Sequence, residues 1–257
     1  MSSLMSGEQE RASGSFRRYM KNVVGKVRKA CEMYNLIEDG DRIAVGVSGG
    51  KDSMALLYAL NEFRGYSPKR FTLTAAVVDP QFNGQKTDYS GLERFCGDKG
   101  IPLIIRRSNL AEVIFDIRKE NNPCSLCARM RRGMLHDMTL EAGCSKIALG
   151  HHMNDEVETL FLNLFHQGRL EGIRPKTYLS RKNITMIRPL ILCGENEVIP
   201  FVKGLDLPVV NSMCPMDGHS ERESVKRFIR EQEVLHPGFT QNTFSAMQRG
   251  NISDLGI

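Results

Sequence analysis

The sequence predicts an α/β fold built on a doubly wound parallel sheet. Short apolar runs recur along the chain, and a longer helix-like segment follows nearly every one of them. The runs are apolar almost throughout, which is typical of strands that helices cover on both faces. Because parallel strands need helical crossovers, this alternation favours a parallel sheet.

Composition places the chain among ordinary globular proteins. It has 257 residues, of which 41% are hydrophobic and 25% are charged, with 23 glycines and 10 prolines. These values exclude collagenous, low-complexity and disordered chains. A chain of this length can bury enough surface to form one large domain without disulfides.

The first predicted element is an amphipathic helix near the amino terminus. Its apolar residues recur at steps of three and four and form one stripe: Phe16, Met20, Val23, Val24, Val27, Cys31 and Tyr34. The segment ends near Asp39 and Gly40. We expect residues 1–38 to form an amino-terminal helical extension and residues 39–257 to form the main domain.

Four strands and their helices are expected next. The strands are predicted over residues 42–47, 71–78, 101–106 and 146–149, and the helices that follow them begin near residues 54, 89, 127 and 155. The last third of the chain is less regular. It predicts an edge or added strand over 184–190, a short helix over 197–203 and a helix over 220–232, opened by a capping box of Ser220 and Glu223.

Neither a membrane-spanning helix nor a signal peptide is expected. No apolar run approaches the roughly 18–20 residues that a spanning helix needs, and residues 1–18 are polar where a signal peptide has its apolar centre. We expect a cytoplasmic protein with no membrane partner.

The seven cysteines are an odd number and unevenly spaced. In a large cytoplasmic chain this favours buried thiols, catalysis or metal binding over a disulfide framework. Cys31, Cys96, Cys144 and Cys193 are expected to be small buried hydrophobes.

The net charge of +5 is too small by itself to imply a polyanionic partner, but the basic residues are unevenly distributed. Residues 11–29 contain seven basic residues and no acidic one, and residues 169–188 contain six basic residues with the single acid Glu171. Both stretches could line one anionic ligand larger than a nucleotide. The alternative is that they are solvated faces.

The turn after the first strand has the composition of a phosphate-binding loop. It reads Ser48-Gly49-Gly50-Lys51-Asp52-Ser53 and leads directly into a helix. Two glycines let backbone N–H groups converge, and the helix amino terminus adds partial positive charge. Lys51 can neutralise phosphate charge, whereas Asp52 would repel phosphate unless a divalent cation lies between them, which predicts Mg²⁺. The alternative is a Gly-Gly turn with a Lys-Asp pair on the surface.

Two other strand ends carry candidate nucleotide-binding residues. Gly150 would let a nucleotide approach closely, and His151 could contact its phosphate or sugar. Asp155 is also a candidate, although Asp155 and Glu158 equally fit a helix-capping box. Asp79 ends the second strand, near the expected adenosine.

Three further cysteines form a candidate metal site. Cys124 and Cys127 stand just before a predicted helix, and Cys214 precedes Pro215 far along the chain. A Cys-x-x-Cys pair there favours thiolates and soft metals, and Cys-Pro also occurs in iron–sulfur proteins. The alternatives are zinc with His219 or His236, a redox disulfide between Cys124 and Cys127, and unconnected cysteines.

Several segments together resemble a known family. Residues 48–53 resemble the pyrophosphatase loop (PP-loop) of the adenine nucleotide alpha-hydrolase superfamily, whose members cleave ATP between the α and β phosphates. Residues 123–135 (PCSLCARMRRGML), residues 150–159 (GHHMNDEVET) and Cys214 make the chain similar to the tRNA 2-thiocytidine synthetase family. The resemblance covers about residues 36–255.

The resemblance implies a fold of the PP-loop type and a site composition. ATP and Mg²⁺ would bind at residues 48–53, adenosine would lie near Gly150 and His151, and a [4Fe–4S] cluster would be held by Cys124, Cys127 and Cys214. Asn154 stands where many members of the superfamily carry an acid. The surroundings of Cys214 also differ from those of the best-known members.

The implied activity is ATP-dependent tRNA thiolation, in which the C2 oxygen of a cytidine in the anticodon loop is adenylated and replaced by sulfur. The implied partners are tRNA, a sulfur donor such as a cysteine desulfurase, and a second copy of the chain in a homodimer. The alternatives are 2-thiouridine formation, an ATP-binding protein with a structural zinc, and an RNA-amidating or lysine-attaching enzyme.

Overall fold

A mostly parallel sheet forms the centre of the protein. The computed structural model describes Gly14 and residues 17–118, 123–211, 213–216 and 221–256. Within them the strands are β1 (Asp41–Gly46), β2 (Phe71–Asp79), β3 (Leu103–Arg107), β4 (Lys146–Ala148), β5 (Lys176–Leu179) and β6 (Ile184–Ile187). Their order is β3-β2-β1-β4-β6-β5, and each pairing is parallel except that of β5 with β6. The predicted doubly wound α/β fold is confirmed.

Eight α-helices lie in the described ranges. They are α1 (Gly25–Met33), α2 (Lys51–Tyr66), α3 (Ser90–Asp98), α4 (Pro123–Glu141), α5 (Met153–Gln167), α6 (Glu195–Gly204), α7 (Glu221–Leu235) and α8 (Phe239–Arg249). A π-helical turn, Met20–Val24, leads into α1, and another covers Glu112–Ile117. None of the helices in the described residues is long and apolar enough to cross a membrane.

Strand β2 shows how both faces of the sheet are buried. Ala75 and Val77 belong to the larger core cluster, which also contains apolar residues of α2, α5 and α6. Ala76 and Val78 point the other way, into a smaller cluster with Met138 of α4. Since side chains alternate along a strand, helices on both faces require a strand that is apolar throughout. The face of the sheet that carries the smaller cluster is therefore covered mainly by α4, the helix that contains two of the candidate cysteines.

The amino-terminal helix is part of the larger core cluster. Val23, Val24, Val27 and Ala30 are buried in it together with residues of α2 and α6. The predicted amino-terminal helix is thus present, while the division of the chain at residue 38 stays a prediction.

In the last third of the chain the structure shortens one predicted strand and adds two elements that the sequence did not predict. The segment predicted as an edge or added strand over 184–190 is the shorter β6, an added strand that lies inside the sheet between β4 and β5. The edge on that side of the sheet is β5, which the sequence did not predict because its residues are only half-buried and form no apolar run. Helix α8 was also missed, since it buries only Phe244 and Met247. The predicted cap Ser220 lies outside the described residues.

Four cysteines are buried as predicted: Cys31, Cys96, Cys144 and Cys193. Burial raises the pKa of Cys31 and Cys193 to about 12, so these thiols stay protonated. They act as small apolar side chains.

Candidate functional site

Residues 48–53, which we call the phosphate loop, connect β1 to α2 and are held by their own hydrogen bonds. The Ser48 N–H donates to Ser53 Oγ (3.2 Å), and Ser53 Oγ donates to the Gly50 carbonyl oxygen (2.8 Å). The Gly50 N–H donates to Ser48 Oγ at the longer distance of 3.3 Å. Gly50 is the N-cap of α2, so the first N–H groups of that helix face the loop. Such an arrangement suits a phosphate group.

Gly49 cannot be replaced by a larger residue without moving its neighbours. Its φ of +87° lies in the left-handed region, and a Cβ on Gly49 would lie 2.9 Å from the Cβ of Val210. The Val210 N–H donates to the Gly49 carbonyl oxygen at 2.9 Å. A segment close to Cys214 in sequence therefore packs directly on the phosphate loop.

Lys51 points towards α6. Its Nζ lies 3.0 Å from Asp52 Oδ2 and 2.9 Å from Glu195 Oε1, the first residue of α6. Burial lowers the pKa of Lys51, but the hydrogen bonds and charges of Glu195 and Asp52 outweigh it, and the pKa lies above its usual value. Lys51 is therefore positively charged. Its side chain would have to turn away from Glu195 to contact a phosphate in the cleft.

Asp52 has an oxygen available for a cation. Oδ1 is buried and has no hydrogen-bond partner, and His152 Nε2 lies 3.5 Å away from it. An unsatisfied buried carboxylate oxygen is costly, and Mg²⁺ prefers such a ligand. Asp52 therefore fits the predicted role of holding Mg²⁺ beside a phosphate.

Gly150, His151 and Asp155 lie beside the second half of the phosphate loop, whereas Val210 packs on its first half. A Cβ on Gly150 would lie 3.0 Å from the carbonyl carbon of Asp52 and 3.1 Å from Ser53 N, so Gly150 packs on the loop backbone itself. Burial holds the pKa of His151 well below its usual value, so its ring is neutral, and its Nδ1 has no hydrogen-bond partner.

Asp155 has a structural role that its neighbour His152 shares. The His152 N–H donates to Asp155 Oδ2 (2.9 Å), and the Asp155 N–H donates to His152 Nδ1 (3.4 Å). This reciprocal pair opens α5 and replaces the expected box of Asp155 with Glu158. Glu158 instead pairs with Arg222 of α7 at 2.9 Å.

A cavity of about 280 Å³ lies beside the phosphate loop. The predicted site residues that line it are Ser48, Asp52, Ser53, Gly150, His151 and Asp155. Arg131 and Leu135 of α4 form part of the opposite wall. We call this space the cleft. Its size and polar residues suit part of a nucleotide, while the phosphates would lie at the loop.

Asp79 is fully buried, and its carboxylate is occupied by its own loop. It accepts hydrogen bonds from the N–H groups of Gln81 and Thr87, both at 3.2 Å, and from Thr87 Oγ1 at 3.0 Å. These bonds order the segment between β2 and α3. The expected contact of Asp79 with adenosine stays a prediction. The neighbouring residue Val78 lines the cleft.

Two of the three candidate thiols lie on one helix. Cys124 and Cys127 are the second and fifth residues of α4, and burial raises the pKa of each, with a smaller contribution from Cys214. The described residues contain no group of three His, Cys, Asp or Glu side chains already arranged around a metal position. The thiols would therefore have to move closer together to hold a metal. Among the predicted zinc ligands, His236 is exposed after the end of α7, and His219 lies outside the described residues.

Helix α4 joins the thiols to the cleft. Arg131 lines the cleft and follows Cys127 by one helical turn, about 6 Å along the axis. Its charge opposes the effect of burial on the pKa of Cys127. Two other arginines, Arg129 and Arg132, lie on the same helix. The structure places Arg131 in the cleft wall and leaves the other two exposed.

The basic stretch over residues 169–188 is largely paired or buried. Arg174 pairs with Asp254, Lys176 with Glu38, and Lys182 with Asp137. Arg188 is buried beside Glu156. Arg169 and Arg181 remain exposed. Both interpretations of this stretch, an anion-binding surface and a solvated face, stay predictions.

Sequence reasoning missed the supporting residues His152, Glu195 and Arg222. The doubled histidine at 151–152 was a signal, but only His151 was given a role. Glu195 was missed because α6 begins two residues earlier than predicted. No local pattern could have identified Arg222, since its partners lie 64 residues away.

Comparison with known proteins places the chain. Residues 20–233 match the family model of the PP-loop domain. The chain is 40% identical over 238 residues to the tRNA-cytidine(32) 2-sulfurtransferase of Syntrophotalea carbinolica, which covers 91% of this chain and 89% of the relative. It is 36% identical over 238 residues to the protein of the same name from Dechloromonas aromatica, covering 92% of this chain and 82% of the relative.

A solved structure has a similar fold. It is the U34-tRNA thiolase NcsA from Methanococcus maripaludis with its [4Fe-4S] cluster, which has a TM-score of 0.74 and 27% sequence identity. The superposition covers 91% of this chain and 79% of that chain. By sequence, the chain belongs to the PP-loop domain family and, within it, to the tRNA 2-thiocytidine synthetase family of sulfurtransferase enzymes.

Proposed function

We propose that this enzyme thiolates tRNA by adenylating the C2 oxygen of a cytidine in the anticodon loop and replacing that oxygen with sulfur. One observation carries the proposal: α4 bears Cys124 and Cys127 in its first two turns and lines the cleft with Arg131 one turn after Cys127. Sulfur chemistry and nucleotide chemistry would thus occur at neighbouring positions on one rigid helix.

The phosphate loop supports the first step. Oxide is a poor leaving group, so the C2 oxygen of the base would attack the α-phosphate of ATP and release pyrophosphate. The N–H groups at the start of α2 would stabilise the departing charge, together with Lys51 once it leaves Glu195. Asp52 Oδ1 would hold Mg²⁺ there. AMP then becomes the leaving group on C2.

The thiols support the second step. Cys124, Cys127 and Cys214 are the soft ligands that an iron–sulfur cluster needs, and three ligands suit a [4Fe–4S] cluster with one open iron. When bound, such a cluster would supply a site for sulfur from a donor such as a cysteine desulfurase. A desulfurase delivers sulfur as a persulfide, so two electrons from a thiol reductant would release it as sulfide. Sulfide reaching C2 would then displace AMP, with the electron pair of the C–O bond leaving on the phosphate oxygen. The relatives named for cytidine 32 favour cytidine over uridine as the base.

The tRNA must present an unstacked base. A base inside a stack cannot reach a cleft between a loop and a helix, so the target nucleotide would be turned outward. Arg129 and Arg132 are exposed on α4, near the thiols, and could contact the RNA backbone. Binding should therefore weaken with rising salt.

The test is nucleoside mass spectrometry of tRNA from cells that lack the gene, complemented with wild type or single variants. We expect 2-thiocytidine to be restored by wild type and by the control C144S, whose buried thiol is remote from the cluster of three, but not by C124S, C127S or C214S. Loss of 2-thiouridine instead would assign the other base. An unchanged nucleoside profile would refute thiolation.

Metal analysis separates the proposal from a zinc-binding alternative. Anaerobically purified protein should be brown and contain iron, and C214S should lose it. Colourless protein with one zinc would favour a structural metal site and remove the proposed route for sulfur.

A further inference from the structure

The segment over residues 205–211, which we call the connecting segment, runs from α6 towards Cys214 and lies on the phosphate loop. Its Leu207 N–H returns to the Val202 carbonyl oxygen at 3.1 Å, which anchors its start to α6. Pro208 packs against Gly91 of α3, where a Cβ would lie 2.9 Å from the proline Cβ. Val210, three residues after Leu207, contacts Gly49 of the phosphate loop.

Two contacts join Val210 to the phosphate loop. The Val210 N–H donates to the Gly49 carbonyl oxygen at 2.9 Å, and the Val210 side chain fills the space beside the Gly49 Cα. Cys214 follows Val210 by four residues, so it can lie at most about 14 Å from this anchor. The position of the phosphate loop therefore limits the position of the third thiol.

The same peptide unit faces both the phosphate position and the connecting segment. The carbonyl of Gly49 accepts from Val210, and the N–H of Gly50, on the other side of that peptide bond, makes only the 3.3 Å bond to Ser48 Oγ. A phosphate in the loop would attract this N–H. Because a peptide is planar, fixing its N–H also fixes the direction of its carbonyl.

The other two thiols are anchored independently, on α4. The described residues show no group of three ligands already assembled around a metal position. Closing the site therefore requires Cys214 and α4 to move relative to one another. The connecting segment is the part of the chain that can transmit such a movement from the phosphate loop.

We infer that the contact of Val210 with Gly49 couples binding of a nucleoside triphosphate at the phosphate loop to metal binding at the three thiols. Val210 is a positioning residue: it touches neither ligand. The inference rests on the proposed function for the identity of the two ligands. Thermodynamic linkage requires that metal binding strengthens nucleotide binding by the same factor.

The coupling can be measured with Co²⁺ as the metal probe, followed by its thiolate-to-cobalt absorption. Anaerobic metal-free protein is titrated with Co²⁺ in the absence and in the presence of saturating Mg²⁺ and a non-hydrolysable ATP analogue. We expect the analogue to tighten Co²⁺ binding at least about fivefold, the lower end of common coupling factors. Calorimetry of the Co²⁺-loaded protein should show analogue binding tightened by the same factor.

Three variants locate the coupling. V210P lacks the N–H that bonds to Gly49, so its coupling factor should fall to about one. V209P introduces proline one residue earlier, at a half-exposed position, and should keep the wild-type factor. V210A keeps the N–H and removes the side-chain contact, so it should reduce the factor partially, and it carries the test if V210P does not fold.

The outcomes separate this inference from the proposed function. A wild-type factor of one overturns the inference, as does a V210P factor equal to that of wild type, or, where V210P does not fold, an unreduced V210A factor. Co²⁺ binds thiolates whether the natural metal is an iron–sulfur cluster or zinc, so the result does not depend on the nucleoside analysis. A protein that thiolates tRNA without coupling refutes only the role of Val210.

Discussion

Replacement of Gly150 by alanine tests whether the strand end supports the phosphate loop. A Cβ there would lie 3.0 Å from the carbonyl carbon of Asp52, 3.1 Å from its oxygen and 3.1 Å from Ser53 N, whereas ordinary contacts begin at 3.4 Å. All three atoms are backbone in the first turn of α2, so no side chain can rotate away. Relief requires a shift of this turn by about 0.3–0.5 Å.

The expected cost is about 1–3 kcal/mol, as for an extra methyl group in a packed interior. In the free protein part of this strain can relax by moving the loop. Bound phosphate holds the loop amides in place, so the remaining strain appears on binding. We therefore expect G150A to weaken binding of a non-hydrolysable ATP analogue about 5- to 150-fold, which is the same free energy expressed as a ratio, and to lower Tm by a few degrees.

Calorimetric titration and thermal unfolding measure the two effects. The matched control is G97A in α3, where a Cβ meets nothing within 4 Å. Alanine should stabilise that helix by about 0.5–1 kcal/mol and leave analogue binding unchanged. If G150A binds the analogue as tightly as wild type does, the close contact with the loop has no functional weight, and the argument from packing is wrong.

Three other substitutions test individual side chains. Burial raises the pKa of Glu156 from 4.5 to about 8, so between these values the folded protein keeps a proton that the unfolded chain releases. The free energy of unfolding should therefore fall as pH rises from about 5 to 8. E156Q should flatten this pH dependence in denaturant titrations, and the same pH dependence for variant and wild type would contradict the assignment. D52N should leave folding unchanged but reduce the Mg²⁺ enhancement of analogue binding at least about tenfold, because Oδ1 has no other partner; an intact enhancement would place Mg²⁺ elsewhere. D79N should lower the free energy of unfolding by about 1–3 kcal/mol and expose residues 80–88 to protease, because one donor would face the Thr87 N–H; unchanged cleavage would show that these bonds do not hold the loop.

Local patterns predicted the core of the fold because a buried strand consists mainly of apolar residues, which are visible in the sequence. The central parts of β1 and β2 are covered on both faces, so most of their positions are apolar and the run is visible in the sequence. β5 is half-exposed at the sheet edge and made no such run. The length of a run and its order along the chain do not reveal which strands become neighbours. That is why the sequence left open whether β6 is an edge strand or an added strand, and only the structure places it inside the sheet.

The candidate site divides in the same way. The glycines and serines of the phosphate loop lie within six consecutive residues, so phosphate binding could be predicted from this segment alone. The partner of Lys51 could not, because Glu195 reaches it from another helix 144 positions along the chain. The pairing of His152 with Asp155 is local, yet the sequence indicated a capping box of Asp155 with Glu158, and only the backbone geometry showed that the helix begins earlier.

The sequence by itself determined that this chain forms a parallel α/β sheet, carries a phosphate loop with a carboxylate suited to a cation, and has three cysteines outside the core. Those properties depend on residues close together in the chain. Tertiary structure alone decided that α4 carries two thiols and one wall of the cleft, and that Val210 rests on Gly49 ahead of the third thiol. Packing of the whole chain brings these residues together, and no local preference specifies which surfaces will meet.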